Sequence, residues 1–291
     1  MSPPGYPHLM TTHDLEVPGG TLRWFEAGPA DAPVTAMWHH GTPNTGEPPE
    51  PLLAASALRG IRWLGFDRPG YGGSTATENR RVADAAHLAA RVADAAGVNS
   101  FVAVGHSGGG PHALACGALL GGRVTAAVVI AGLAPYTADD DAWFAGMHAG
   151  VEAELRAALD GPSRLATLMA ATDFDAEMFT PADHEILGGE WSWLNAIAAA
   201  GIAQGLDGAI ADNVAYVNQW GFDRSDVAVP TLLVHGEMDR MVPVTHARWN
   251  AAAPRDVNTR GAELWEMPGE GHLSVLRAGE RILDWIVTSA G

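Results

Sequence analysis

Two residue types on which many enzymes depend are scarce or missing here: the sequence contains no lysine and a single cysteine, Cys116. Without lysine the chain cannot form a Schiff base with a carbonyl substrate, nor bind a phosphate through a Walker-type lysine. One cysteine rules out an internal disulfide and a cysteine-based zinc cluster. We predict that Cys116 is a small, buried apolar residue.

Positive charge is also scarce, because 17 arginines face 34 Asp and Glu residues and leave a formal net charge of −17. Binding a phosphate backbone needs clustered basic side chains, so nucleic acid is not an expected partner. The composition, 47% hydrophobic and 18% charged, is typical of a globular protein with a sizeable core. It is compatible with a homodimer and does not fix the oligomeric state.

Long hydrophobic runs are missing as well. No stretch approaches the roughly 20 apolar residues that a membrane span needs. A secretory signal peptide has an apolar segment behind basic residues. Residues 1–10 are rich in proline and do not show this pattern. We therefore expect a soluble, cytoplasmic protein that does not contact a membrane.

Short apolar segments alternate with helical patterns along the first half of the chain. Residues 34–39, 61–66, 101–105 and 124–131 are mostly β-branched or apolar rather than alternating, which predicts strands buried on both faces of a parallel sheet. Helices are predicted at 51–58, 81–96 and 111–120. Residues 14–17 and 21–25, separated by Pro-Gly-Gly, predict a β-hairpin. This alternation indicates an α/β fold with right-handed crossovers.

From residue 133 to residue 226 the alternation stops. This stretch predicts several helices and no strand, and it contains four of the ten tryptophans. The pattern then resumes with strands at 231–235 and 263–267 and helices at 245–252 and 273–287. We interpret residues 1–132 and 227–291 as a core domain, and 133–226 as an inserted helical cap.

The most informative motif is Gly105-His106-Ser107-Gly108-Gly109, which follows an apolar strand and precedes a helix. A G-x-S-x-G elbow places its serine in a strained strand-to-helix turn, where small neighbours avoid collision with the flanking elements. Ser107 is therefore the candidate nucleophile, the alternative being a structural glycine loop.

A second motif, residues 40–43 (HGTP), follows the strand at 34–39. Acyl transfer needs N–H donors directed at the developing oxyanion, and backbone amides in a fixed turn supply them. We predict the amides of Thr42 and Gly108 as the two donors. His39 and His40 are interpreted as a strand residue and a turn residue.

Two candidate partners follow later strands in the required order. Asp239 comes after the strand at 231–235, and His272 after the strand at 263–267. Both should reach the edge of the sheet where Ser107 lies. His272 would then accept the serine proton and Asp239 would orient the imidazole. Glu237 and the carboxylates of residues 139–141 stay open as alternatives to Asp239.

Together these motifs resemble the α/β-hydrolase superfamily, which includes lipases, esterases, peptidases and epoxide hydrolases. Residues 67–74 (DRPGYGGS) are similar to a shaping turn found after the fourth strand in that family. The resemblance covers nearly the whole chain and implies a mostly parallel eight-stranded sheet with helices on both faces and a helical cap. A serine at 107 departs from epoxide hydrolases and haloalkane dehalogenases, which carry aspartate there.

The predicted cap is rich in aromatic and methionine side chains that could line a pocket or pack between helices. The pocket candidates are Trp143, Phe144, Met147, Trp191 and Trp193, with Met169, Phe174 and Phe179 in the same group. Because the cap contains only three arginines, an anionic substrate is disfavoured.

The resulting expectation is a serine hydrolase that cleaves a carboxylic ester or lactone of a small, largely apolar substrate, without cofactor or metal. The first alternative resembles the proline iminopeptidases, in which cap carboxylates bind a substrate amine; Glu152, Glu154, Glu177, Glu185 and Glu190 are the candidates. Gly108 and Thr42 depart from that group, which usually has tryptophan after the serine and an extra glycine in the turn. The second alternative is a non-hydrolytic lyase, cyclase or receptor on the same scaffold.

Overall fold

The computed structural model describes residues 10–137, 141–252 and 261–290. Its eight strands are β1 Thr11–Val17, β2 Gly20–Ala27, β3 Val34–His39, β4 Ile61–Phe66, β5 Phe101–His106, β6 Val124–Ile130, β7 Thr231–Gly236 and β8 Ala262–Met267. The helices of the core are α1 Leu53–Leu58, α2 Asp84–Ala95, α3 Gly109–Leu119, α10 Thr245–Ala251 and α11 Gly279–Ser289. Between β6 and β7 lie α4 Asp141–Phe144, α5 Ala149–Leu159, α6 Pro162–Ala171, α7 Pro181–Leu187, α8 Trp193–Ile202 and α9 Asp207–Tyr216.

All eight strands form one sheet in the order β1-β2-β4-β3-β5-β6-β7-β8. β1 and β2 are an antiparallel hairpin, β2 also pairs antiparallel with β4, and the remaining neighbours are parallel. The predicted fold class, an α/β-hydrolase fold with a mostly parallel eight-stranded sheet, is confirmed.

The sheet is buried on both faces because successive side chains of a strand point to opposite sides. In β5, Phe101 and Ala103 pack in one apolar layer with α2 and α3, whereas Val102 and Val104 pack in the other layer with α11. This explains why apolar residues occur at successive positions of the central strands rather than only at every second one.

Predicted element bounds are close to those observed, with differences at several ends. The strands at 34–39 and 61–66 match residue for residue. The helix predicted at 81–96 begins only at Asp84, and the one predicted at 51–58 starts with a 3₁₀ turn, Glu50–Leu52. The helix predicted at 273–287 consists of a 3₁₀ segment, Ser274–Ala278, followed by α11.

The inserted segment between β6 and β7 contains helices and no strand in its described residues. Its division from the remainder as a separate cap domain stays a prediction. Within the described residues, no helix alone is long and apolar enough to cross a membrane; α8 and α9 together meet that test but are bent by 99°.

Candidate active site

Ser107 occupies a tight turn between β5 and α3. Its φ of 55° lies in the left-handed region that residues other than glycine seldom adopt. A Cβ built on Gly105 would lie 2.2 Å from the carbonyl oxygen of Gly109, and one on Gly109 would lie 1.9 Å from that of His39. Only glycine fits at either position, so the backbone can turn sharply enough to raise Ser107 at the edge of the sheet.

The three predicted partners come together at that edge. His272 Nε2 lies 2.8 Å from Ser107 Oγ, and His272 Nδ1 lies 2.8 Å from Asp239 Oδ2. Asp239 lies between β7 and α10, and His272 lies between β8 and α11. The spacing forms a continuous hydrogen-bonded path from the hydroxyl through the imidazole to the carboxylate.

The electrostatics of this path suit a general base. Burial alone would raise the pKa of Asp239, but the imidazoles of His272 and His235 outweigh it and hold that pKa well below its usual value. Asp239 Oδ1 also accepts the N–H groups of Met241 and Val242, at 2.8 and 2.9 Å. Burial alone would lower the pKa of His272, but the Asp239 carboxylate raises it above its usual value. Asp239 therefore stays ionised and favours a proton on the imidazole.

Thr42 and Gly108, the predicted oxyanion donors, lie side by side next to Ser107. A Cβ built on Gly108 would lie 2.7 Å from Thr42 Oγ1, and one on Gly41 would lie 3.3 Å from Ser107 Cβ. The hydroxyl of Tyr216 on α9 donates to the Gly108 carbonyl at 3.0 Å and lies 2.9 Å from Thr42 Oγ1. The two residues thus lie in contact beside Ser107; their role as oxyanion donors stays a prediction.

Behind this turn lies a buried network centred on Asp212 of α9. Its carboxylate accepts from Arg68 Nε and Nη2 at 3.1 and 2.6 Å, and from the hydroxyls of Tyr71 and Thr42 at 2.6 and 2.7 Å. Arg80 Nη1 lies 2.6 Å from the same group. Arg68 Nη1 in turn donates to the His40 carbonyl at 2.5 Å, so the network fixes the turn that contains Thr42.

This network explains the motif at residues 67–74, whose expected role was shaping. Arg68 and Tyr71 belong to the motif, whereas Asp212 and Tyr216 were not identified from the sequence. Their partners are 108 to 174 residues away along the chain, so no local pattern could have indicated them.

Three other histidines near the site, His39, His40 and His106, are structural, as expected for the first two. His39 and His40 are completely buried, which holds their pKa values well below the usual value. His106 donates from Nε2 to the His272 carbonyl at 3.1 Å, and its burial lowers its pKa to about 3. His106 therefore stays neutral while it holds the His272 loop.

The alternatives to Asp239 do not reach His272. Glu237 is exposed, and Asp141 is exposed and pairs with Arg156 at 2.9 Å. Asp139 and Asp140 lie outside the described residues. No group of three or more side chains suited to hold a metal ion occurs in the described part of the chain.

A cavity of about 740 Å³ opens over Ser107 and His272, bounded by the turn at residues 41–44 and by helices of the insertion. Its apolar walls come from Leu133, Val151, Leu155, Met169, Phe174, Met178, Phe179, Leu187, Leu194, Ile202, Met241 and Val242. Of the five glutamates considered as amine-binding candidates, only Glu154 lines it. Burial raises the pKa of Glu154 above its usual value.

The prediction of Trp143, Phe144, Met147, Trp191 and Trp193 as pocket residues is wrong, because none of them lines this cavity. Trp143 donates its indole N–H to the Ala134 carbonyl at 3.0 Å and packs edge-on against His246. Trp191 is buried in the apolar layer that includes α11. Large aromatic side chains anchor the insertion to the sheet, whereas smaller aliphatic side chains, methionines and two phenylalanines face the cavity.

Comparisons with known proteins agree with this fold. The family model described as "alpha/beta hydrolase fold" matches residues 37–278. A non-heme haloperoxidase of Rhodococcus erythropolis is 28% identical over 249 residues, covering 81% of this chain and 84% of the relative. A non-heme chloroperoxidase of Burkholderia pyrrocinia is 26% identical, with coverages of 83% and 85%.

Among solved structures, the enol-lactonase from Burkholderia xenovorans is similar with a TM-score of 0.69 and 17% identity, covering 95% of this chain and 98% of that one. At that identity the likeness concerns the fold. Because the family model spans residues 37–278 of this 291-residue sequence, the chain belongs to the alpha/beta hydrolase fold family.

Proposed function

We propose that this protein is a serine hydrolase that cleaves a carboxylic ester or lactone of a small, largely apolar substrate through an acyl-serine intermediate. The observation that carries the proposal is the path from Ser107 through His272 to Asp239, with 2.8 Å at each step, at the floor of the cavity. That arrangement suits a serine nucleophile, its base and the carboxylate that orients the base.

In the first half of the reaction, Ser107 Oγ attacks the substrate carbonyl while His272 Nε2 takes the hydroxyl proton. The amides of Thr42 and Gly108 bind the oxyanion of the tetrahedral intermediate. The imidazolium then gives its proton to the departing alkoxide, and the acyl group stays on Ser107. In the second half, water attacks the acyl-serine with His272 again as the base, and the acid and the serine hydroxyl are released.

The cavity walls support the choice of substrate. Ligand sites of about 300–1,000 Å³ accept compounds of drug size, and about 740 Å³ falls inside that range. Among the described residues no arginine lines the cavity, and Glu154 is its one acidic residue apart from the triad region. A neutral acyl group with aliphatic or aromatic parts therefore fits better than an anionic one.

The test is a fluorophosphonate label located by mass spectrometry, together with turnover of an ester and lactone panel. We expect the label on Ser107 and a loss of about 10⁶-fold in rate for Ser107→Ala, if the triad acts as a unit. Ser163→Ala is the matched control, because Ser163 is exposed on α6 and does not line the cavity. Labelling elsewhere, or unchanged turnover in Ser107→Ala, contradicts the proposal. Labelling without multiple turnover favours a receptor.

A second candidate function is an amidase or aminopeptidase, and the position of Glu154 in the cavity favours it. A carboxylate there could pair with the free amine of an aminoacyl substrate. For this function, Glu154→Gln should lower turnover of aminoacyl-arylamides and leave acyl esters unaffected. Equal effects on both substrates argue against it.

The relatives named as haloperoxidases suggest a second acceptor for the acyl group. Hydrogen peroxide attacking the acyl-serine would give a peroxy acid and regenerate the serine hydroxyl, as water gives the acid. Ester turnover with added peroxide and a halide, followed by halogenation of a phenolic indicator, tests this reaction. It should disappear in Ser107→Ala along with ester hydrolysis.

A further inference from the structure

The loop that carries His272 is held by a carboxylate of an inserted helix, Asp183 on α7. Asp183 Oδ1 accepts the backbone N–H groups of Leu273 and Ser274, at 2.8 and 2.7 Å. Its Oδ2 accepts the N–H and the hydroxyl of Thr180, both at 2.9 Å. Asp183 has no exposed surface. A buried side chain 90 residues away in sequence thus binds the two residues that follow His272.

The residue before His272 touches the same carboxylate. A Cβ built on Gly271 would lie 2.2 Å from Asp183 Oδ2 and 2.6 Å from Thr180 Oγ1. The N–H of Gly271 donates to Ser274 Oγ at 2.7 Å, which closes the loop on itself. Asp183 therefore packs against the backbone on both sides of His272.

The four hydrogen bonds to Asp183 come from three backbone N–H groups and one hydroxyl, and none comes from a cationic side chain. Burial alone would raise the pKa of Asp183, but the N–H groups of Ser274, Thr180 and Leu273 outweigh it and lower the pKa. The group stays ionised. Burying an ionised carboxylate is costly even with good donors, so a neutral residue would be the cheaper way to hold a loop.

We propose that Asp183 is a positioning residue for His272, which fixes the backbone around the imidazole and adds a second buried negative charge to that of Asp239. The inference rests on the proposed function, because it takes His272 to be the base that becomes cationic in the reaction. Asp183 does not line the cavity, so it acts through His272 and not on the substrate.

Four groups set the charge around His272. Asp239 lies in direct contact, His235 lies 3.2 Å from the Asp239 carboxylate, and the His106 ring centroid lies 5.3 Å from that of His272. Asp239 has the larger influence in raising the pKa of His272, and Asp183 adds to it in the same direction. Since His106 stays neutral, Asp183 is the second anion that stabilises the imidazolium.

The test is the pH dependence of ester hydrolysis in Asp183→Asn. The amide oxygen can still accept the N–H groups of Leu273 and Ser274, so the change removes the charge and keeps both bonds to the His272 loop. The amide NH₂ would face the N–H of Thr180, so that bond at the start of α7 is lost. We expect the acid limb of kcat/KM to move down by about one pH unit. The rate constant kcat on the plateau should fall by up to about tenfold, because one pKa unit is a factor of ten in the stability of the imidazolium, while KM stays unchanged.

The matched control is Asp226→Asn. Asp226 accepts the N–H of the capping residue three positions before it at 2.9 Å, as Asp183 does with Thr180. It is exposed, however, and its hydrogen bond is to its own 3₁₀ turn, not to the His272 loop. This control should keep the wild-type pH profile. A second variant, Asp183→Glu, keeps the charge but not the geometry, so its kcat should fall while its acid limb stays where it is in the wild type.

An Asp183→Asn protein that folds, hydrolyses the ester and keeps the wild-type acid limb overturns this inference and leaves the proposed function intact. The inference is also overturned, with the proposed function intact, if the acid limb of Asp183→Glu shifts by as much as the acid limb of Asp183→Asn. A wild type that neither hydrolyses esters nor labels at Ser107 overturns the proposed function itself. Circular dichroism of each variant at the assay temperature separates these outcomes from a loss of fold.

Discussion

Replacing Asp212 with asparagine should destabilise the protein strongly, because this carboxylate is the acceptor for two buried guanidinium groups. Arg68 and Arg80 have side-chain exposures of 1% and 4%, and both contact Asp212 at 2.6 Å. The hydroxyls of Tyr71 and Thr42 donate to it as well. An amide offers one acceptor oxygen, and its NH₂ group would face donors.

The magnitude follows from the loss of one partner of a buried ion pair, which costs about 3–5 kcal/mol in unfolding free energy. For a chain of this size each kcal/mol lowers Tm by roughly 2–4 °C, so the melting temperature should fall by roughly 6–20 °C. Urea denaturation followed by circular dichroism gives the free energy, and a thermal scan gives Tm. In the folded variant kcat should also fall, because Arg68 holds the His40 carbonyl of the turn that contains Thr42, the proposed oxyanion donor.

Asp207→Asn is the control, because it removes the same charge from the same helix. Asp207 lies in the first turn of that helix and is exposed. Its loss should cost no more than about 1 kcal/mol through the helix dipole. If Asp212→Asn destabilised the protein by no more than this control, the network would be of little energetic importance and the reasoning would be refuted.

Three further predictions concern single groups. Because the Asp239 carboxylate raises the pKa of His272, kcat/KM for a neutral ester should fall as the pH drops through a midpoint above ~6.5; a flat profile from pH 5 to 9 contradicts this base. Tyr216→Phe removes the hydroxyl bound to the Gly108 carbonyl and should cost about 1 kcal/mol in stability and lower kcat more than KM, measured by steady-state kinetics. Complete burial raises the pKa of Cys116, so iodoacetamide should label it only after unfolding; fast labelling of the native protein contradicts its placement.

The order and placement of Ser107, Asp239 and His272 could be predicted because each lies in the loop after a strand. Parallel strands end at the same edge of a sheet, so these three residues were expected to meet there. Ser107 and Asp239 are 132 positions apart in sequence, and Asp239 and His272 are 33 positions apart. The glycines of the elbow added a local steric signal. Short, local sequence patterns were therefore sufficient to predict the fold and the positions of these three side chains.

The cavity walls and the supporting carboxylates could not be predicted in this way. Helices of the insertion have apolar residues on more than one face, and a single sequence does not tell which face meets the sheet and which meets the cavity. Trp143 and Trp191 anchor the insertion, whereas Met169 and Leu194 face the site. Asp183 and Asp212 bind residues 90 to 170 positions away, and contacts of that kind follow from packing alone.

The buried group around Asp212 also limits how this protein could be re-engineered. A chimera that took residues 133–226 from another protein without a carboxylate at the place of Asp212 would leave Arg68, Arg80, Tyr71 and Thr42, all of which lie before the insertion, without this acceptor. Exchanging the insertion to change substrate preference would therefore require a carboxylate at the place of Asp212 in the new segment.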